Sequence, residues 1–133
     1  VETIRQKADT YIYTNPLSVA DCSAAAAAID LCDSKEGRDR LNMLRQRTAR
    51  FRQGLKDLNL ETIDGPHPVV PLLVRETPRT HAMVDYLFEN GVLAVGLTFP
   101  VVPSGDETIR FQINAAHSDF DIDYTIELLG RFQ

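Results

Sequence analysis

The chain has 133 residues, 44% of them hydrophobic and 25% charged, with a net charge of −5. That size suits one compact domain, and that balance excludes disordered, collagen-like and low-complexity chains. A net-negative domain is a poor partner for nucleic acid, and no apolar run approaches the roughly 20 residues of a membrane-spanning helix, so neither partner is expected. Val1-Glu2-Thr3-Ile4-Arg5 lacks the order of a secretory signal, and a chain starting with Val is expected to be a processed product or a piece of something larger.

In chain order, residues 1–9 read as the tail of a helix and Tyr11-Ile12-Tyr13-Thr14 as a short extended segment, broken at Asn15-Pro16. Ser18 with Asp21 three residues on marks a capped helix start, followed by a helix over residues 19–31. Its five alanines, Ala24 to Ala28, favour the helix and leave a smooth face for another element. Cys22 and Cys32 fall on different faces of it, about 15 Å apart along the axis, too far for a disulfide. Reduced thiols point to a cytoplasmic protein. Leu41, Leu44, Thr48, Phe51, Leu55 and Leu58 then form one helical stripe. Arg38, Arg40, Arg45, Arg47, Arg50, Arg52 and Lys56 occupy the other faces; with no interleaved aromatics, they read as a solvated surface.

Beyond Gly65-Pro66-His67-Pro68 the period shortens. Residues 69–74 read as a strand, with Pro71 placing it at a sheet edge or a bulge. A helix follows over residues 80–89, with Met83, Tyr86 and Leu87 on one face and Asn90-Gly91 as its cap. Residues 92–97 form a second strand, residues 98–107 a loop, and residues 108–114 a half-buried strand with Ile109, Phe111 and Ile113 facing one way. The final segment alternates like a strand, yet Ser118 is a plausible N-cap and Asp119, Asp121 and Asp123 crowd its first turn, so a helix is expected. The fold class is α+β: a small sheet covered by helices.

No complete catalytic apparatus can be assembled from these residues. His67, His81 and His117 have no metal-ligand spacing, and Asp119-x-Asp121-x-Asp123 lacks the glycine and the bidentate acid of a calcium loop. Arg110 stands out, because it sits mid-strand on the polar face between Thr108 and Gln112. Its guanidinium fork suits a carboxylate, either a ligand's or that of one of the nineteen acidic residues.

Gly96-Leu97-Thr98-Phe99-Pro100-Val101-Val102-Pro103, followed by Ile109-Arg110-Phe111-Gln112-Ile113-Asn114-Ala115-Ala116-His117-Ser118, resembles the C-terminal signature of the α-oxoamine synthases. These are pyridoxal-phosphate (PLP) acyltransferases of the aspartate-aminotransferase fold (PLP fold type I). Tyr11 to Pro16 is similar to the family's Tyr-x-Phe-Ser/Thr segment, and Gly65 to Pro71 and Glu89 to Val92 follow in the family's order. The Pro-Val-Val-Pro loop and Gln112 most resemble the glycine C-acetyltransferase branch.

The resemblance implies that residues 1–133 are the small C-terminal domain, with a mainly antiparallel sheet, of a homodimeric enzyme condensing glycine or another small amino acid with an acyl-CoA. It implies that Arg110 holds the amino-acid carboxylate and that Thr14 lies near the cofactor phosphate of the neighbouring subunit. Thr98 and Phe99 are implied on the active-site loop; His117 matches a family histidine and reads as structural, setting the turn into the last helix. The cofactor-binding lysine has no counterpart among Lys7, Lys35 and Lys56, so this stretch alone is expected to be inactive. The alternative is a stand-alone binding or interaction domain that keeps the fold.

Overall fold

A computed structural model describes residues 1–132, the side chain of Ile12 apart. The chain divides into two compact units, Val1–Arg38 and Asp39–Gln133.

The first unit contains α1 (Glu2–Lys7), α2 (Asp9–Ile12), α3 (Val19–Asp33) and the first turn of α4 (Lys35–Asp57). The extended reading of residues 11–14 is corrected. Tyr11 N–H donates to the Ala8 carbonyl at 2.9 Å and Tyr13 N–H to the Asp9 carbonyl at 3.0 Å, so the segment closes into a helical turn. Tyr, Ile and Thr favour strands only where a neighbouring strand takes up their backbone groups; here local bonds do so. Ser18 caps α3 as expected, accepting from the Asp21 N–H at 3.1 Å while donating its hydroxyl to the Asp21 carboxylate at 2.7 Å. Among the described residues α3 has no buried side chain. Ser34 then joins α3 to α4, donating to the Leu31 carbonyl at 2.6 Å and accepting from the Gly37 N–H at 3.1 Å.

In the second unit the rest of α4 is followed by β1 (Val69–Leu73), α5 (Thr77–Glu89), β2 (Val95–Leu97), β3 (Thr108–Gln112) and α6 (Asp119–Phe132). The expected strands at 92–97 and 108–114 are therefore shorter, and the helix expected at 80–89 starts three residues earlier. The sheet is antiparallel in the order β1-β3-β2, with Pro71 and Val95 flanking Arg110 across the ladder. Pro71 does lie on an edge strand. Residues 61–62 cover that edge: Leu73 N–H donates to the Glu61 carbonyl at 2.9 Å and the Thr62 hydroxyl to the Pro71 carbonyl at 2.7 Å.

Strand alternation sends Val70, Leu72, Ile109 and Phe111 inward, where they meet Phe51 and Leu55 of α4, Met83 and Leu87 of α5, and Ile122, Leu128 and Leu129 of α6 in one core. The Phe51 and Phe111 rings lie 5.0 Å apart. Gly54 permits the close approach of α4 to α6, since a Cβ there would fall 2.4 Å from Ile126 Cδ1. Gly91, at φ +79°, ends α5 in a backbone conformation that side chains rarely adopt. The helical reading of the last segment holds: Ser118 accepts from the Asp121 N–H at 3.2 Å, and the Asp121 carboxylate accepts from the Ser118 N–H at 2.7 Å.

The solvated stripe on α4 needs correction at several positions. Arg52 is only 8% exposed, donating to the carbonyls of Ile63 and, at 2.8 Å, His67. Arg47 is half-buried and donates to the Ala115 carbonyl, and Arg50 grips Asp123 through two bonds of 2.7 and 2.5 Å. Much of this cationic flank ties loops and α6 to the helix.

Candidate functional site

Because Ile109 and Phe111 point into the core, the pleat turns Arg110 to the opposite, outer face of the sheet. Ladder partners share a face, so Arg110 is bracketed by Pro71 on β1 and Val95 on β2, the latter 54% exposed. Arg110 is itself exposed, and no carboxylate among the described residues pairs with it. Three other arginines of the unit are each matched to an acid: Arg50 with Asp123, Arg75 with Glu61 at 2.5 Å, and Arg131 with Glu127 at 2.5 Å. Arg110 therefore presents an unspent planar fork on a mixed surface of small apolar and polar side chains, which suits a small carboxylate ligand.

The loop after β2 begins three residues beyond Val95, the ladder partner of Arg110. Thr98 lies within 3.5 Å of His81 Nε2 on α5, and its carbonyl accepts from the Val101 and Val102 N–H groups at 2.9 and 3.2 Å. Phe99, followed by a cis peptide to Pro100, is 66% exposed, and Val101 is 74% exposed. The far end of the loop is anchored by Glu107, which sequence reasoning missed. Its carboxylate is 1% exposed and accepts from the Thr77 hydroxyl at 2.8 Å and the Gly105 N–H at 2.9 Å. Its own backbone N–H, Thr77 and Gly105 together hold the carboxyl below its usual range against the opposing effect of burial. The Glu107 carbonyl accepts from the N–H groups of Val74 and Arg75 at 2.9 and 3.0 Å, tying the loop to the end of β1. A glutamate two residues after a glycine turn is the only local signal, and it does not announce burial.

Thr14 lies in the first unit, exposed, with its hydroxyl donating to the Thr10 carbonyl. Lys7, Lys35 and Lys56 are exposed, and Lys56 pairs with Asp64 at 2.7 Å. His117 sits in the turn before α6, bonded to Asn114 at 3.1 Å, so it shapes that turn. Cys22 and Cys32 are exposed free thiols. Among the described residues no cluster of three or more His, Cys, Asp and Glu is placed to hold a metal ion, and no helix is long and apolar enough to cross a membrane.

Residues 1–129 match the aminotransferase class I and II family. The chain is 31% identical over 127 residues to mouse mitochondrial 2-amino-3-ketobutyrate coenzyme A ligase, covering 96% of this chain and 30% of that protein. It is 35% identical over 130 residues to 8-amino-7-oxononanoate synthase of Nitrosococcus oceani, covering 97% of this chain and 34% of that protein. It thus spans about a third of the length of these curated relatives. Among solved structures, serine palmitoyltransferase from S. paucimobilis with bound PLP–myriocin aldimine superposes with a TM-score of 0.89 at 18% identity, over 98% of this chain and 33% of that one. The 8-amino-7-oxononanoate synthase of Francisella tularensis gives 0.78 at 20% identity, over 98% and 37%. The likeness extends to the small antiparallel sheet with its covering helices, and with the family match over nearly its whole length the chain belongs to the aminotransferase class I and II family.

Proposed function

We propose that residues 1–133 are the C-terminal small domain of a PLP-dependent C-acyltransferase, a cytoplasmic homodimer that joins glycine or another small amino acid to an acyl-CoA. Arg110 is its carboxylate ligand. The observation that carries this reading is an exposed arginine, fixed by a three-strand ladder and left without an acid. The names of the relatives supply the reaction class: a coenzyme A ligase acting on an amino-ketone acid and an amino-oxo-acid synthase.

The residues present fit only the margin of a PLP site. Thr14 would donate its hydroxyl to the phosphate on exchanging its bond to the Thr10 carbonyl, but no lysine of this chain is set in an enclosed site. Bound PLP supplies an electron sink for charge at the α-carbon of the amino acid. This chain's part is orientation: a bidentate hold on the carboxylate fixes which α-carbon bond faces the reacting partner.

In the complete protein loaded with PLP, Arg110→Ala should raise the KM or Kd for the amino acid roughly 10- to 100-fold, since a charge-assisted pair is worth ~1.5–3 kcal/mol. Arg110→Lys should not restore it, because an ammonium cannot reproduce the fork. Thermal stability should hardly move, as Arg110 supports no neighbour. Unchanged amino-acid affinity in a destabilised Arg110→Ala protein overturns the assignment. The isolated chain mixed with PLP and reduced with borohydride should carry no stoichiometric label on any lysine.

A further inference from the structure

A second feature lies on the flank of α4. Arg45, Arg52 and Lys56 follow one another at seven and four residues, close to whole turns of the helix, so they line a single edge. With Thr48, Ala49 and Gln53 as the floor and Gly65 and Pro66 as the facing wall, they enclose a groove of about 400 Å³ in which no acidic side chain takes part. That volume lies within the range of small-molecule sites.

The charge inside this groove is poorly compensated. Arg52, more than nine-tenths buried, spends its two terminal nitrogens on the neutral carbonyls of Ile63 and His67. Its Nε is buried without a partner, and no carboxylate among the described residues forms an ion pair with it. Its direct bonds are thus all to neutral oxygens, and the nearest carboxylate it acts on is that of Asp64, which it helps to hold below the usual range. Arg45 is held only by Asn42 Oδ1 at 3.3 Å and is free to swing inward. Two acids stand at the rim: Asp64, 78% exposed and engaged with Lys56 at 2.7 Å, and Asp57, which accepts from Gln53 at 2.7 Å. Three cations against two carboxylates still leave the groove net positive.

We infer that this groove binds a phosphate group, as a free dianion or as the phosphate end of a nucleotide. A phosphate brings three strong acceptor oxygens, enough to engage the Arg45 fork and the Lys56 ammonium together, whereas a carboxylate's two are spent on one fork. Arg45 brings the planar fork and Lys56 a point charge on leaving Asp64. Arg52, pinned by its carbonyls, acts through its field. The site stands apart from Arg110 and does not depend on the acyl-transfer reading.

The test is calorimetric titration of the chain with inorganic phosphate and, separately, adenosine 3′,5′-bisphosphate at low ionic strength. Saturable binding is expected, weakened about tenfold by Arg45→Gln and by Lys56→Gln, each of which removes one charge-assisted contact. Asp64→Asn should tighten binding several-fold by removing the competing acid, which a purely structural role for these residues would not produce. Arg131→Gln, remote on α6, should change nothing. All four positions are exposed, so the fold survives each substitution. Tighter binding of the nucleotide assigns a nucleotide-borne phosphate; equal or weaker binding assigns the free ion. Absence of saturable binding for both probes, or identical affinities for Arg45→Gln, Lys56→Gln and Asp64→Asn, overturns the site.

Discussion

Arg110 and Arg52 show how much a single position in the lattice decides for one residue type. Arg110 is mid-strand and turned outward, so its charge stays in water and waits for a ligand. Arg52 is one step around α4 from Phe51, on the shoulder of the buried face, and the loop at residues 63–67 closes over it. Glu107 is the acidic counterpart, buried but satisfied by the donors that close its loop. These donors favour its ionised form, so its folded pKa lies below the unfolded value. The associated stability is present above the usual carboxylate range and is lost as pH falls through the folded value. Glu107→Gln should therefore lower the melting temperature at about pH 7, and the gap to the parent should close as pH falls below the usual carboxylate range and Glu107 itself becomes neutral. Asp121 and Asp123, also held low by Ser118 and Arg50 respectively, add acid sensitivity of the same sign, which is common to both proteins. A gap that widens at low pH would contradict this account.

Among the elements, the α3–α4 junction has the least tolerance. Ser34 is the only residue between a 15-residue and a 23-residue helix, and Gly37 sits against the end of α3. A Cβ at Gly37 would fall 2.2 Å from the Leu31 carbonyl oxygen and 2.6 Å from that of Cys32. Both are backbone atoms, so nothing can rotate away, and the helix ends must separate. Gly37→Ala should thus lower stability despite alanine's better helix propensity, which would otherwise favour it by about 1 kcal/mol. A circular-dichroism melt reads the sign directly: a rise in stability would mean the junction opens freely. At α6 the capping pair is exposed and purely local, so Ser118→Ala should cost the ~1 kcal/mol typical of a lost N-cap.

For the molecule as a whole, the two units are stabilised by different means. The second has a core of thirteen buried apolar residues spanning three helices and the sheet. In the first, α1 and α3 bury nothing, while Ile4, Tyr13, Leu17, Val19 and Ile29 are each more than 65% exposed. Helices of this length without tertiary packing are marginal in water. Hydrogen exchange should accordingly leave residues 1–33 with little protection while β3 and the buried turns of α4 and α6 exchange slowly. With these large apolar side chains left open, the isolated chain should self-associate, visible as a concentration-dependent sedimentation coefficient. A monodisperse monomer with uniform protection would contradict both expectations.

Local chemistry in the sequence was sufficient for the helix starts at Ser18 and Ser118, the Gly91 cap, the edge position of Pro71 and the alternating face of β3. Each depends on hydrogen bonds or side-chain directions within a few residues, which the order of residues specifies directly. The same alternation placed Arg110 on the outer face. What required the tertiary structure was every property set by a partner distant in sequence. The helical turn at residues 11–14 depends on no strand being paired with it. The shortness of β2 reflects its brief register with β3. The burial of Arg52 depends on carbonyls eleven and fifteen residues away, and that of Glu107 on a hydroxyl thirty residues away. A charged side chain reads as solvent-exposed until its desolvation is offset, and only the folded chain brings together the oxygens and N–H groups that offset it.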